Sequence, residues 1–188
     1  MSRIFILIAV LLLMQGCATY RGFPEDKVNQ PPESNHDTMY YNISGKSMFK
    51  GFGALHEVFK ESSGFKEAVL IETMPESGYY VDVKVSNVAP SMPAVTFGYV
   101  SFITYTILPF WSTQNGNNIS YDLYKDGVLL ESHEYEIRRK LFVWLGMLPL
   151  VWVNGITYSE SDAFSASAYD FLDKTDGIIA DGKVPGNS

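Results

Sequence analysis

The 188-residue sequence predicts an α+β fold: a small antiparallel sheet of about four strands with two flanking helices, in the order α-β-β-β-β-α. Three observations carry this. An apolar stripe of helical spacing crosses residues 47–62, residues 79–87 alternate between apolar and polar, and an Asp-Gly step at 126–127 separates two strand-like runs.

The first helix places Met48, Phe52, Leu55 and Phe59 on one face, with Gly64 as its stop. Gly51 and Gly53 fall inside it and lower its intrinsic propensity. Residues 68–73 make a strand, and Pro75 and Gly78 supply the turn that follows. In the next strand Val81, Val83 and Val85 point one way and Asp82, Lys84 and Ser86 the other, the pattern of a sheet with one buried face. Residues 119–125 and 128–137 form a hairpin, because Asp126-Gly127 accepts the positive φ of a tight turn. In the last helix Ser159 serves as the cap with Asp162 three positions on, and Phe164, Ala168, Phe171 and Leu172 make the buried stripe.

Two long segments stand outside this alternation. Residues 85–121 and 141–159 contain no charged side chain, and all three tryptophans (Trp111, Trp144 and Trp152) lie in them. If the last three strands are antiparallel neighbours, both segments leave the sheet at the end opposite the Asp-Gly turn and share one pole. Arg138, Arg139 and Lys140 stand at the entrance to the second segment. Aromatic rings beside cationic side chains suit the boundary between bilayer and water. Phe102, Phe110, Trp111, Arg138, Arg139, Lys140, Trp144 and Trp152 are therefore the candidate residues for contact with membrane or with an envelope protein partner. The competing reading makes the same segments core strands buried on both faces. A transmembrane hairpin fits poorly, since the second run has only 13 residues before Asn154-Gly155.

The N-terminus speaks to location. Arg3 precedes an unbroken apolar run from Ile4 to Met14, and Gly16-Cys17 follows closely. Eleven residues of helix rise only ~16 Å, short of a ~30 Å hydrocarbon core, so the run is an export signal and not a span. Cys17 is the only cysteine and can form no internal disulfide. The stretch Leu13-Met14-Gln15-Gly16-Cys17 resembles the lipobox of bacterial lipoproteins. The resemblance covers the first ~18 residues. It implies that Cys17 becomes the acylated first residue of the mature protein. With Ala18 after the cysteine, it further implies residence on the periplasmic face of the outer membrane, with membrane lipid as partner through acylated Cys17.

The domain organisation follows: 1–16 signal peptide, 17–43 lipidated N-terminus and flexible tether, 44–173 a single α+β domain, and 174–188 a loose C-terminal tail. Pro24, Pro31 and Pro32 among polar residues argue for the tether, and Gly177, Gly182, Pro185 and Gly186 for the tail. The mature chain has 13 Lys and Arg against 21 Asp and Glu, a net charge of −8, which excludes nucleic acid as a partner.

No residue set identifies an activity. His56-Glu57 opens like a zinc motif, but position 60 is lysine, and His36 and His133 are scattered, so neither metal nor cofactor is expected. Gly45-Lys46-Ser47 lacks the first glycine of a phosphate loop, where Tyr40 stands. Ser47 and Ser63 each open an S-x-x-K pattern and Lys174-Thr175 recurs downstream, but the S-D-N-type element that such acyl-enzymes need is missing. Glu134 and Glu136 share one strand face and Glu131 takes the other, the look of a solvated sheet rather than of two carboxylates across a cleft. The expectation is a non-enzymatic outer-membrane lipoprotein with an accessory role; the alternative is a periplasmic hydrolase with an unrecognised serine or carboxylate site.

Overall fold

A computed structural model describes residues 17–30, 36–45, 50–61, 64–105, 107–144 and 157–181. The elements are β1 (Cys17–Arg21), a short 3-10 turn (Glu25–Lys27), β2 (His36–Gly45), α1 (Lys50–Glu61), β3 (Phe65–Leu70), β4 (Tyr79–Val88), α2 (Met92–Ile103), β5 (Phe110–Lys125), β6 (Val128–Val143) and α3 (Glu160–Asp181). The fold is α+β, as expected, but the sheet is larger than four strands. Among the described residues it has six, in the order β1-β6-β5-β4-β2-β3, with three helices rather than two.

The extra strands come from the segment expected to be a flexible tether. β1 pairs antiparallel with the end of β6, and β2 pairs parallel with both β3 and β4. The sheet is therefore mixed, not antiparallel. β3 and β4 are not the two arms of a hairpin, because β2 runs between them and α1 makes the crossover from β2 to β3, a βαβ unit. The physical reason lies in alternate positions of the supposed tether: Met39 and Tyr41 are fully buried and Phe23 nearly so. Lys27 also pairs with Asp173 of α3 at 2.8 Å, across the sequence from the 3-10 turn.

The expected hairpin is present and longer than predicted. Asp126 (φ 50°) and Gly127 (φ 78°) form its turn, and Asp126 and Gly78 exchange two hydrogen bonds of 2.8 and 3.1 Å. The β4 alternation holds, with Val81, Val83 and Val85 buried and Asp82, Lys84 and Ser86 outside. On that outer face Lys84 bridges Asp122 (2.8 Å) and Asp82 (3.2 Å). Its hydrogen bonds to Asp122 and Asp82 hold the ammonium well above its ordinary pKa. Burial works against the Asp122 carboxylate, yet the bonds from Lys84, Ser132 and Ser120 outweigh it and lower that pKa.

By contact pattern the chain divides into two compact units. One comprises Met1–Arg21, Val88–Gly116 and Arg138–Ser159; the other comprises Gly22–Asn87, Asn117–Ile137 and Glu160–Ser188. Every buried apolar side chain among the described residues belongs to the second unit. There α1 and α3 cover the inner face of the sheet, and a run of rings forms the centre. Tyr41 stacks on Phe59 (5.3 Å), Phe59 meets Tyr121 (6.3 Å), and Tyr121 stacks on Phe171 (4.9 Å). The predicted stripe of the last helix is all buried: Phe164, Ala168, Phe171 and Leu172. Of the first helix's stripe, Leu55 and Phe59 are buried while Phe52 is exposed, and Met48 lies outside the described residues.

The expected tail is helical as far as Asp181. Gly177 does not stop α3, because Ile179 in the next turn is buried and its carbonyl accepts a hydrogen bond from the Tyr79 hydroxyl at 3.0 Å. Gly51, which weakens α1 by propensity, earns its place by packing: a Cβ there would meet the Phe164 ring at 2.7 Å, whereas one at Gly53 would meet nothing within 4 Å. Gly51→Ala is expected to cost about 1–3 kcal/mol through overpacking. Gly53→Ala should be neutral or stabilising by up to about 1 kcal/mol. Denaturant midpoints of the two variants check the contrast.

Candidate functional site

The first unit carries the candidate surface, and α2 is its main element. Ser91 occupies the cap in extended backbone (φ −65°, ψ 152°), the Val95 amide donates to the Ser91 carbonyl at 3.0 Å, and a proline stands in the first turn. Proline there loses no hydrogen bond, whereas in a central strand it would interrupt the ladder. This outweighs the poor helix propensity of Val95, Thr96, Phe97, Tyr99, Val100, Phe102 and Ile103. The hydroxyls inside α2 are spent locally: Thr96 donates to the Met92 carbonyl and Thr104 to the Val100 and Ser101 carbonyls, all at 3.0 Å. Tyr105, with φ 52°, ends the helix, and Ser101 donates to the Leu108 carbonyl at 2.8 Å.

The burial pattern of α2 is inverted. Its one buried residue is Ser101, while Met92 is 77 %, Phe97 61 %, Tyr99 67 % and Phe102 62 % exposed. Among the described residues, thirteen of the eighteen exposed large hydrophobic side chains lie in this unit, whose buried residues are Ser101 and Ser112. Apolar residues surround the helix, so it has no solvated face of the kind an ordinary surface helix presents. At 12 residues it rises about 18 Å, and no helix among the described residues is long and apolar enough to cross a membrane.

The sequence-nominated residues take up distinct positions. Phe102 and Trp111 are exposed, and Trp111 stacks on Phe97 at 6.4 Å. These two rings help line a cleft of about 260 Å³, whose floor includes the buried Ser112 hydroxyl. Phe110 is half-buried under α2, where Gly98 brings the helix backbone close: a Cβ at Gly98 would lie 3.4 Å from the Phe110 ring. Trp144 is exposed on one side and donates its indole N–H to the Ile107 carbonyl at 3.1 Å, which joins the start of the second apolar segment to the first. Arg138, Arg139 and Lys140 lie on β6, opposite Arg21, Tyr20 and Thr19 of β1. Cys17 is the first residue of β1, opposite Phe142. Trp152 lies outside the described residues.

Sequence reasoning missed α2 as an element and missed Tyr99, Ile103, Tyr105 and Ile107 as members of the exposed surface. Ser91 and Pro93 were the available signal for the helix start.

The described histidines, carboxylates and hydroxyls singled out in the sequence each have local partners or face solvent. His56 takes a 2.9 Å hydrogen bond with the Tyr41 hydroxyl and stacks on Phe52, and no group of metal-binding side chains occurs among the described residues. His133 pairs with Glu131 at 2.7 Å and sits edge-on to Phe171. Glu134 and Glu136 are exposed, as a solvated sheet face requires. Thr175 is buried inside α3 with its hydroxyl on the Phe171 carbonyl at 2.8 Å, so the K-T-G likeness falls on a continuous helix. Ser47 and Ser63 lie outside the described residues. Burial pushes the Tyr121 and Tyr135 hydroxyls up from their ordinary pKa, with the Asp170 carboxylate adding to the effect on Tyr135.

No family model matches the chain, and no curated protein matches it in sequence. Solved structures with a related course include a variant PelC dodecamer from Paraburkholderia phytofirmans, 8% identical with a TM-score of 0.37, where the match covers 84% of this chain and 96% of that one. A second PelC dodecamer from that organism is 8% identical with a TM-score of 0.33, covering 84% and 95%. A Xanthomonas campestris protein of the DUF330 family is 10% identical with a TM-score of 0.37, covering 89% and 96%. At these values the matches bear on neither activity nor partners.

Proposed function

We propose that the chain is a non-enzymatic lipoprotein of the outer membrane, held on the periplasmic face through acylated Cys17, whose first unit lies in the bilayer interface. The observation that carries this is α2, a 12-residue helix whose only buried side chain is a serine and whose aromatic and aliphatic side chains are exposed. Such a surface in water would expose a large contiguous apolar patch, and patches of that kind mark contact with lipid or protein. Lipid is favoured by composition. The unit combines exposed tryptophan and phenylalanine with Arg138, Arg139 and Lys140, the pairing that headgroup regions accommodate. The second unit, with its own aromatic core, would serve an accessory role in the envelope.

The anchor has a direct test. Cys17→Ala should leave the precursor uncleaved and abolish metabolic labelling with fatty acid. Continued labelling of that variant would overturn the lipoprotein assignment.

A further inference from the structure

The two buried hydroxyls of the first unit differ in one respect. Ser101 of α2 donates to the Leu108 carbonyl at 2.8 Å. Ser112 of β5 is 3 % exposed, and its Oγ has no hydrogen-bond partner within the protein. Among the described residues of this unit, only the Asn115 side-chain oxygen shares that condition, and of the two residues only Ser112 lines the cleft between α2 and β5. A hydroxyl that gives up water without gaining a partner costs free energy, and native proteins keep few of them.

The cleft restricts what can pair with it. Its walls are Pro93, Ala94, Phe97 and Trp111, and no lining residue is charged. An ionised group placed there would lose hydration with no counter-charge to replace it. A plain hydrocarbon would leave the Ser112 hydroxyl unsatisfied. The fitting ligand is therefore an alkyl chain that carries a neutral hydrogen-bond acceptor. At about 260 Å³ the cleft is smaller than the roughly 300–1,000 Å³ of pockets that enclose a whole small ligand. It suits one segment of a longer molecule, and Pro93, Phe97, Trp111 and Thr113 are exposed where the remainder would leave.

We infer that the α2–β5 cleft binds the ester end of one acyl chain of a bilayer lipid. The Ser112 hydroxyl donates to the ester carbonyl, and the first methylenes lie against Phe97 and Trp111. This rests on the membrane reading above and adds to it a site for a single lipid molecule, with an uncharged ester as the recognised group.

The test uses the full mature chain without its acyl groups and two short lipids below their micelle concentrations. Dihexanoylphosphatidylcholine carries ester carbonyls; its dihexyl ether analogue has none. Titration calorimetry should show one diester lipid per chain, with the ether about fivefold weaker, the size of one neutral hydrogen bond. Ser112→Ala should bind both lipids alike, at the affinity of the ether, without a lower melting temperature, because it removes a hydroxyl that the free protein leaves unpaired. Ala94→Phe, which narrows the cleft, should abolish binding of both. Equal affinity of the unaltered chain for ester and ether overturns the Ser112 contact, as does a Ser112→Ala variant that melts several degrees lower. Absence of lipid binding in a chain that still co-sediments with vesicles overturns the cleft site and leaves the membrane reading intact. Binding of the short lipid by a chain that ignores vesicles overturns the membrane reading and keeps the cleft. In the acylated protein, a phosphatidylcholine with a diazirine in its acyl chain should crosslink to the peptides carrying Phe97 and Trp111. Crosslinking there only from a diazirine fatty acid incorporated at Cys17 makes the occupant the protein's own acyl chain and overturns the bilayer source.

Discussion

Phe102→Ser combined with Trp111→Ser is expected to abolish measurable binding of the unacylated mature chain to vesicles while moving its melting temperature by no more than about 2 °C. The first half follows from area. Each ring buries about 150–250 Å² when fully covered, and 62 % of Phe102 and 61 % of Trp111 is exposed in the free protein. At roughly 25 cal/mol per Å², each ring would contribute about 2–4 kcal/mol on entering lipid, or tens-fold to several-hundredfold in partition. The second half follows from what the rings touch. Trp111 stacks on Phe97, which is itself exposed, so removing it opens no cavity in a packed interior. Had the apolar segments been core strands, truncating a buried Trp would cost about 3–5 kcal/mol and vesicles would be ignored. Co-sedimentation and thermal melts on the same variants separate the two. Unfolding of the double variant, together with indifference of the intact chain to vesicles, would overturn the membrane-facing assignment.

The opposite result is expected at Phe171→Ala: a loss of about 3–5 kcal/mol, with vesicle binding by the folded fraction unchanged. Phe171 is fully buried, stacks on Tyr121 at 4.9 Å and meets the edge of His133 at 5.9 Å, so its removal leaves a cavity under α3 that rigid neighbours cannot fill. For a chain of this size the loss corresponds to roughly 6–20 °C in melting temperature. Tyr121→Phe supplies the control. The Tyr121 hydroxyl bonds the Ser167 hydroxyl at 2.8 Å, and Ser167 in turn donates to the Phe164 carbonyl at 2.8 Å. Losing the phenol leaves Ser167 still satisfied as a donor, so the cost should stay near 1 kcal/mol. A Phe171→Ala variant as stable as Tyr121→Phe would contradict the packed aromatic centre.

Parts of this molecule were legible because one short-range rule governs them. The β4 alternation needs only a sheet with one buried face, and Val81, Val83 and Val85 satisfy it. The turn at Asp126-Gly127 needs only residues that accept positive φ. The α3 stripe from Phe164 to Leu172 needs only helical periodicity. β2 was hidden because its segment follows Pro31 and Pro32 and is punctuated by Asn42, Ser44 and Gly45, a composition that resembles a linker. Its alternation of Met39, Tyr41 and Ile43 was present but short, and pairing with β3 and β4 on either side decided its state. The end of α3 was hidden for a related reason: Gly177 disfavours helix locally, and burial of Ile179 overrides it.

What the sequence determined alone was therefore local and compositional: which stretches are apolar, where charge is absent, where a turn must fall, and that Cys17 closely follows an unbroken apolar run. The tertiary structure decided three things that no window of residues contains. β2 lies between β3 and β4, which turns an expected antiparallel sheet into a mixed one. The segment around Phe97 and Phe102 is a helix on the surface, because Ser91 and a first-turn proline start it and its only inward side chain is Ser101. Arg21 and Arg138, 117 positions apart in the chain, occupy one rung. Pairing between strands depends on partners distant in sequence, and exposure depends on what the rest of the chain leaves uncovered. Neither quantity is a property of a segment, which is why the uncharged run at residues 85–121 was compatible throughout with core strands, until the packing put the apolar side chains of α2 on the surface and buried Val85, Ile119 and Tyr121 at its ends.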